Sequence, residues 1–451
     1  MTKPPAPPPL TARLARHVLE YKGSSIEPDI VKAAKHCLLD WCAVALAGMN
    51  EPVSAILRKE FAGSGRNGAT VIGAGRFFSA ADAALVNGAT SHALDYDDVH
   101  PLIGHPSVAI LPAVLAVAEE EGSSGAETLN AFIAGYDAAC FVGSIVMPSH
   151  YDRGYHSTAT VGSFGAAVGA GLLLGLDEQQ MRVALGLAGT QAAGLKSMFG
   201  TMAKPLHAGR AAANGVSAAR LARSGFTANP DVIEVEQGFA ATESAYDPTS
   251  VKSPSFVTGR VRQTLFKYHA ACYLTHSSIE AIRRLQEKCS LRPDDVVEVE
   301  LHVPRGHLKV CNIGVPRTGL ELKFSIASLA AGALTGLETA AIDAYTDRAA
   351  QDPMLASLRE RVRVIGDHAP GTAVDVVIRT RGDCVHTLSF DTGIPDPDLS
   401  HQETHLVQKF HSLTNPVIGL EKALRLREEI DRLDFSPNLN GLTALWPGGD
   451  H

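Results

Sequence analysis

The chain has 451 residues, 45% hydrophobic and 20% charged, a composition ordinary for a globular protein and long enough for two or three domains. Its net charge of −8 and pI near 6.1 argue against a nucleic-acid-binding surface, while leaving room for a local basic pocket that takes a small anion. Seven scattered cysteines with no CxxC pair argue against a disulfide framework and a cysteine-rich zinc module, so a reducing, cytoplasmic setting is expected.

Along the chain, residues 1–9 carry prolines that forbid helix, and an extended or disordered lead is expected there. That lead has no apolar core of signal-peptide length, and no run approaches about 18 consecutive apolar residues, so no membrane span is expected. In Pro28–Ala47, Ile30, Ala34, Cys37, Leu38, Trp41 and Ala45 share one helical face, which Gly48 is expected to end. Ser79 with Asp82, Ser124 with Glu127, and Asp177 with Gln180 each read as the start of a helix. The segment Val161–Gly175 is rich in alanine and glycine, the composition of a helix packed closely on its neighbours.

The texture changes near residue 265. Val296–Val303 alternates β-branched and charged residues as a strand does, and Val374–Arg379 and Thr387–Phe390 read the same way. A helical stretch, Phe324–Leu337, lies between them, and helical patterns return at Leu406–Leu413 and Leu420–Leu433. The organisation read from this is an α+β insert over 265–397, flanked by helical segments 1–264 and 398–451 that form one discontinuous domain. No repeat of solenoid period is present.

Four places could carry chemistry. The first, SHALDYDDVHPLIGHPS, puts His92, Asp95, Asp97, Asp98, His100 and His105 at a helix end and the loop after it. It reads as a histidine–carboxylate acid–base set, as solvated charge at a helix C-terminus, or as a metal site, the last weakened by the lack of a recognisable ligand spacing. The second is RGYHSTATVG, where His156 precedes Ser157 and Thr158, hydroxyls able to cap the next helix, whose N-terminus suits a carboxylate. The third is GTMAKPLHAGRAAANG, where Lys204 precedes a proline that opens a helix and reads as a carboxylate clamp, a proton-transfer group if desolvated, a surface lysine, or a Schiff-base lysine for pyridoxal phosphate, the last without any phosphate cradle elsewhere in the chain. The fourth, FKYHAACYLTHSSIEAI, supplies Lys267, His269, Cys272 and His276, with Cys272 read as packing rather than as a nucleophile. The run GSFGAAVGAGLLLGL fits no phosphate-binding motif, so neither a nucleotide nor any other cofactor is expected.

These four motifs, in this order, resemble the MmgE/PrpD superfamily, and the likeness runs from about residue 10 to 445. The resemblance implies a multidomain fold: a large all-helical domain built from both chain ends, plus a smaller α+β lid domain. It also implies a homodimer acting on a small anionic carboxylate, without metal or organic cofactor, nucleic acid or membrane. It carries catalytic roles onto Asp95, His105, His156, Lys204 and His276, which are expected to converge on one pocket, with Asp95 orienting a histidine. Lys267, His100 and Ser157 are expected to bind substrate. Two positions depart from the decarboxylase branch: Val99 stands where that branch has threonine, and Ser328 where it has tyrosine. The run Asp97-Asp98-Val99 also departs from the Asn-Asp-Thr of the dehydratase branch.

The chemistry shared by these enzymes explains the residue types. Taking a proton next to a carboxylate builds enediolate-like charge, which positive groups stabilise while a neutral base accepts the proton. The leading expectation is a lyase of the 2-methylcitrate dehydratase kind. An iminodisuccinate-type epimerase or isomerase comes next, then a cis-aconitate decarboxylase, then a non-catalytic binding homologue.

Overall fold

The computed structural model describes residues 9–61, 68–247 and 255–448, the side chains of Arg76 and Phe77 excepted. The expected extended lead therefore lies outside the described residues, apart from Pro9. The chain divides into two compact units, Met1–Phe266 with Asp398–His451, and Lys267–Pro397.

Unit 1 opens with α1 (Leu10–Leu19), α2 (Pro28–Gly48) and α3 (Pro52–Glu60). Helix α2 ends at Gly48, with Met49 as its C-cap. A short antiparallel ribbon follows, β1 (Ala69–Val71) and β2 (Gly75–Phe78), so the helical unit has one β element that the sequence did not announce. Its three- and four-residue strands are too brief to show an alternating pattern. Next come α4 (Ala80–Ser91), α5 (Pro106–Glu121), α6 (Gly125–Val146), α7 (Ser157–Leu173), α8 (Glu178–Gln191) and α9 (Ala203–Arg223). The expected starts hold: Ser79 accepts from the Asp82 amide, and Ser124/Glu127 and Asp177/Gln180 form reciprocal capping boxes.

Helices α4, α5, α7 and α9 pack together, the first three buried on nearly all faces and α9 on the face it turns to them. Small residues permit this. A Cβ on Gly165 of α7 would lie 2.7 Å from the Gly135 carbonyl oxygen of α6, and one on Gly209 of α9 would lie 2.1 Å from the Leu85 carbonyl oxygen of α4. The glycine-rich run is thus a helix-packing surface. Helix α6 is long and apolar enough to cross a membrane by length and composition, but 89% of that window is buried inside the fold, as in a core helix.

Unit 2 holds α10 (His276–Cys289), β3 (Val296–Pro304), α11 (Ile326–Thr335), α12 (Pro353–Arg359), β4 (Val362–His368), β5 (Val374–Thr380) and β6 (Val385–Phe390). The sheet order is β4-β3-β5-β6, with β4 parallel to β3 and the other pairs antiparallel. Strand β5 buries Val374, Val376, Ile378 and Thr380 on one face, where α10 packs. Strand β4 escaped the sequence reading because it is an edge strand with no fully buried residue, and Gly366 and Asp367 interrupt its pattern.

The chain then returns to unit 1 as α13 (Leu399–Ile418) and α14 (Leu420–Asp431), both packed on α2. Lys409 of α13 is buried and pairs with buried Asp40 of α2 at 2.6 Å. The same ammonium donates to the Tyr96 carbonyl oxygen at 2.6 Å, so the returning helix braces the loop that carries the first chemical motif.

Candidate active site

The site in unit 1 is built where helices begin and end. Helix α4 stops at Ser91, with His92 as its C-terminal cap. The chain turns through Asp95, whose φ of +50° is uncommon for a residue with a side chain, and through Gly104 at φ +90°. A Cβ on Gly104 would stand 2.6 Å from the Thr158 hydroxyl, so only glycine fits. His105 is the N-cap of α5, His156 the N-cap of α7, and Lys204 lies in the first turn of α9. Three helix N-termini therefore supply the side chains, and each adds partial positive charge. A lysine in the first turn opposes its own helix dipole, a local conflict of the sort functional sites carry.

The polar contacts are specific. Lys204 Nζ lies 2.8 Å from Asp95 Oδ1, and His105 Nε2 lies 3.4 Å from the same oxygen. The Asp95 side chain is 41% exposed, whereas Asp97 is fully buried. Asp97 Oδ2 is 2.8 Å from His105 Nδ1, and its Oδ1 is 2.8 Å from His92 Nδ1. The His105 amide donates to Thr158 Oγ1 at 3.0 Å. The His156 ring packs edge-on against Phe199, faces His92 at 6.1 Å, and brings its Nδ1 to 3.1 Å from His207 Nδ1.

Burial lowers His105 to about 4 despite the opposing pull of Asp97. Burial also holds His156 far below the ordinary histidine value, helped by His92, His105, Lys204 and His207. Burial alone would raise the Asp97 carboxyl, but His92 and His105 with their hydrogen bonds hold it well below the usual carboxylate range. Asp98, buried next to Asp40, is pushed up to about 8. The site thus holds neutral imidazoles, an ion-paired lysine and an ionised buried carboxylate. That set can accept a proton and bind an anion.

Asp95, His105, His156 and Lys204 come together in unit 1. Ser157 lies buried in the first turn of α7 and caps nothing; His156 holds the cap position instead. His100 is not brought to the group. Its ring is buried against Tyr136 and Cys140, and its Nδ1 accepts from the Leu102 amide, because a tight turn closed by the His100 and Gly104 backbones directs it into the core. The expected substrate-binding role of His100 is therefore not supported by its position. Asp95, expected to orient a histidine, lies 3.4 Å from His105 Nε2 and closer to Lys204, while Asp97 makes the shorter contact to His105.

Lys267 and His276 belong to unit 2, both buried. His276 opens α10 with its Nε2 3.3 Å from the Ala271 carbonyl oxygen and its ring 4.9 Å from that of His269. His269 is held between Glu280 and Thr339, each at 2.8 Å. Cys272 is half-buried.

The sequence placed His92 and Asp97 within the candidate histidine–carboxylate set without separate roles, and it did not single out His207. His207 follows Lys204 by three residues in a helix, a spacing that puts both on one face and could have signalled it. His92, Asp95, Asp97 and His105 offer ligand atoms within 4.8 Å of one another, the group among the described residues that could hold an ion. Asp97 already satisfies two imidazoles and Asp95 is ion-paired with Lys204, so a cation there would compete with an ammonium.

The MmgE/PrpD N-terminal domain matches residues 12–252 and the C-terminal domain matches residues 269–434. The chain belongs to the MmgE/PrpD family. It is similar to a cis-aconitate decarboxylase-like protein of Aspergillus oryzae, 27% identical with 97% of each chain covered. It is 32% identical to the cis-aconitate decarboxylase of Aspergillus terreus over 62% of this chain and 60% of that one. The human cis-aconitate decarboxylase is 30% identical over 56% of this chain and 54% of its own. Family and relatives together place this MmgE/PrpD protein among enzymes of the lyase class. Of its two departures, Val99 spends its backbone on a bridge to Leu265, and Ser328 is fully buried and accepts from the Ser325 hydroxyl at 2.8 Å.

Proposed function

We propose that this chain is a lyase acting on a small di- or tricarboxylate of the cis-aconitate kind, moving a proton at a carbon next to a carboxylate without metal or organic cofactor. The observation that carries the reading is the Asp95–Lys204 pair against the Nε2 edge of His105, which burial keeps neutral. A substrate carboxylate can take the Lys204 ammonium, the three helix N-termini favour its charge, and a neutral imidazole is ready to accept a proton. The same group serves either of two bond changes. In decarboxylation the C–C bond to a carboxylate breaks, carbon dioxide leaves, and the carbon takes a proton from an N–H of the group. In dehydration the base removes a C–H proton, the C–O bond on the neighbouring carbon breaks, and the departing hydroxyl takes a proton from an N–H of the group and leaves as water.

The names of the relatives favour decarboxylation. Dehydration of a 2-methylcitrate-type substrate is the second reading. Ser328 supports it, since it stands where the decarboxylase branch has tyrosine, and a neutral His105 suits proton abstraction; Val99 departs from both branches and favours neither. His276 and Lys267 of unit 2 remain part of the proposal through the resemblance, as do the homodimer and the cytoplasmic setting. The seven free cysteines accord with that setting.

Incubating the enzyme with aconitates, citrates, 2-methylcitrate and iminodisuccinate in D2O, followed by NMR, tests the reading. Carbon dioxide with deuterium at the product carbon supports decarboxylation, and alkene with water supports dehydration. Exchange of C–H for C–D without loss of mass supports an epimerase instead. Binding without turnover across the panel would leave a binding homologue.

A further inference from the structure

Asp97 is the one buried carboxylate of the motif whose two oxygens go to two different histidines, each at 2.8 Å through Nδ1. The geometry points to Asp97 as a positioning residue that fixes the proton of both His92 and His105 on Nδ1, leaving Nε2 of each as the basic nitrogen, with His92 serving as the second anchor of that carboxylate. The inference deepens the lyase reading and rests on it for the role of His105 as base.

An ionised carboxylate can only accept hydrogen bonds, so each ring facing Asp97 must present N–H at Nδ1. Independent support comes from the far side of His92. Its Nε2 is buried and has no hydrogen-bond partner among the described residues. The opposite tautomer would bury an unsatisfied N–H there and also set a lone pair against Asp97 Oδ1. Both oxygens need donors because the anion is fully buried, and His92 supplies the donor that His105 cannot. With Nδ1 committed, the proton acceptor left on His105 is Nε2, the edge facing Asp95 and Lys204. A proton taken at that nitrogen creates an imidazolium beside a carboxylate already in place.

The test begins without substrate. In the full chain labelled with 15N-histidine, His92 and His105 should both show the Nδ1–H tautomer at neutral pH, the signals being assigned by their loss in H92N and H105N. Either ring found as Nε2–H overturns the inference. In D97N the amide can accept from only one ring, so the other should switch tautomer. Turnover should fall about 10²-fold or more with KM little changed. H92L should lose a similar amount, and H92N, whose amide N–H copies the Nδ1 donor, should recover at least about tenfold of it. Equal losses in folded H92L and H92N would overturn the anchoring role of His92. If the tautomers are as stated but no carboxylate on the panel turns over, the lyase reading fails and the Asp97 assignment stands.

Discussion

Lys204 stands at the positive end of its own helix and is held there by Asp95 at 2.8 Å. This arrangement spends stability on placing charge, so the residue is expected to matter for turnover more than for folding. Lys204→Ala and His105→Ala should each lower turnover by about 10²-fold or more, with the helical signal retained; either variant at full activity would remove it from the site. The pH dependence follows from the direction of the His105 shift. A base must be neutral to act, and its folded value is lowered to about 4. Activity should therefore persist as pH falls through the ordinary histidine range and disappear only toward about 4, read as the acid limb of kcat/KM. An acid limb near 6.5 would mean that the working base is a solvated histidine.

Helix α9 carries Lys204 and His207, and its place is set by backbone approach rather than by large side chains. The Cβ of Gly209→Ala would meet the Leu85 carbonyl oxygen of α4 at 2.1 Å, so α9 and α4 must separate. A loss of roughly 1–3 kcal/mol is expected, together with reduced turnover, because α4 ends at His92. Gly314→Ala, whose Cβ meets nothing within 4 Å, is the control and should stay within about 0.5 kcal/mol. Thermal melts of both variants check this, and equal melting points would show that the contact is slack. The helix starts were legible because a cap is a local code: Ser79, Ser124 and Asp177 bond to amides three residues ahead. Strand β4 and the β1–β2 ribbon were not legible, since an edge strand and a three-residue strand carry too little periodicity.

At the scale of the molecule, net charge −8 and an anion-binding site are compatible because Lys204 and the positive ends of three helices concentrate local potential there. Exhaustive dialysis against EDTA should leave the rate unchanged, since Asp97 is already bonded to both histidines and Asp95 is paired with Lys204. Recovery of lost activity on adding a divalent cation would overturn that expectation. The sequence by itself determined the fold class and most of the helices, because periodicity and caps act over a few residues. It also determined the motifs that carry Asp95, His105, His156 and Lys204. Only the tertiary structure decided which carboxylate serves which group. Asp95, Asp97 and Asp98 lie within four consecutive positions, yet one pairs with Lys204, one bridges two histidines and one is pushed up to about 8 beside Asp40. Those fates depend on burial and on partners far away in the chain, and side-chain spacing in a loop encodes neither.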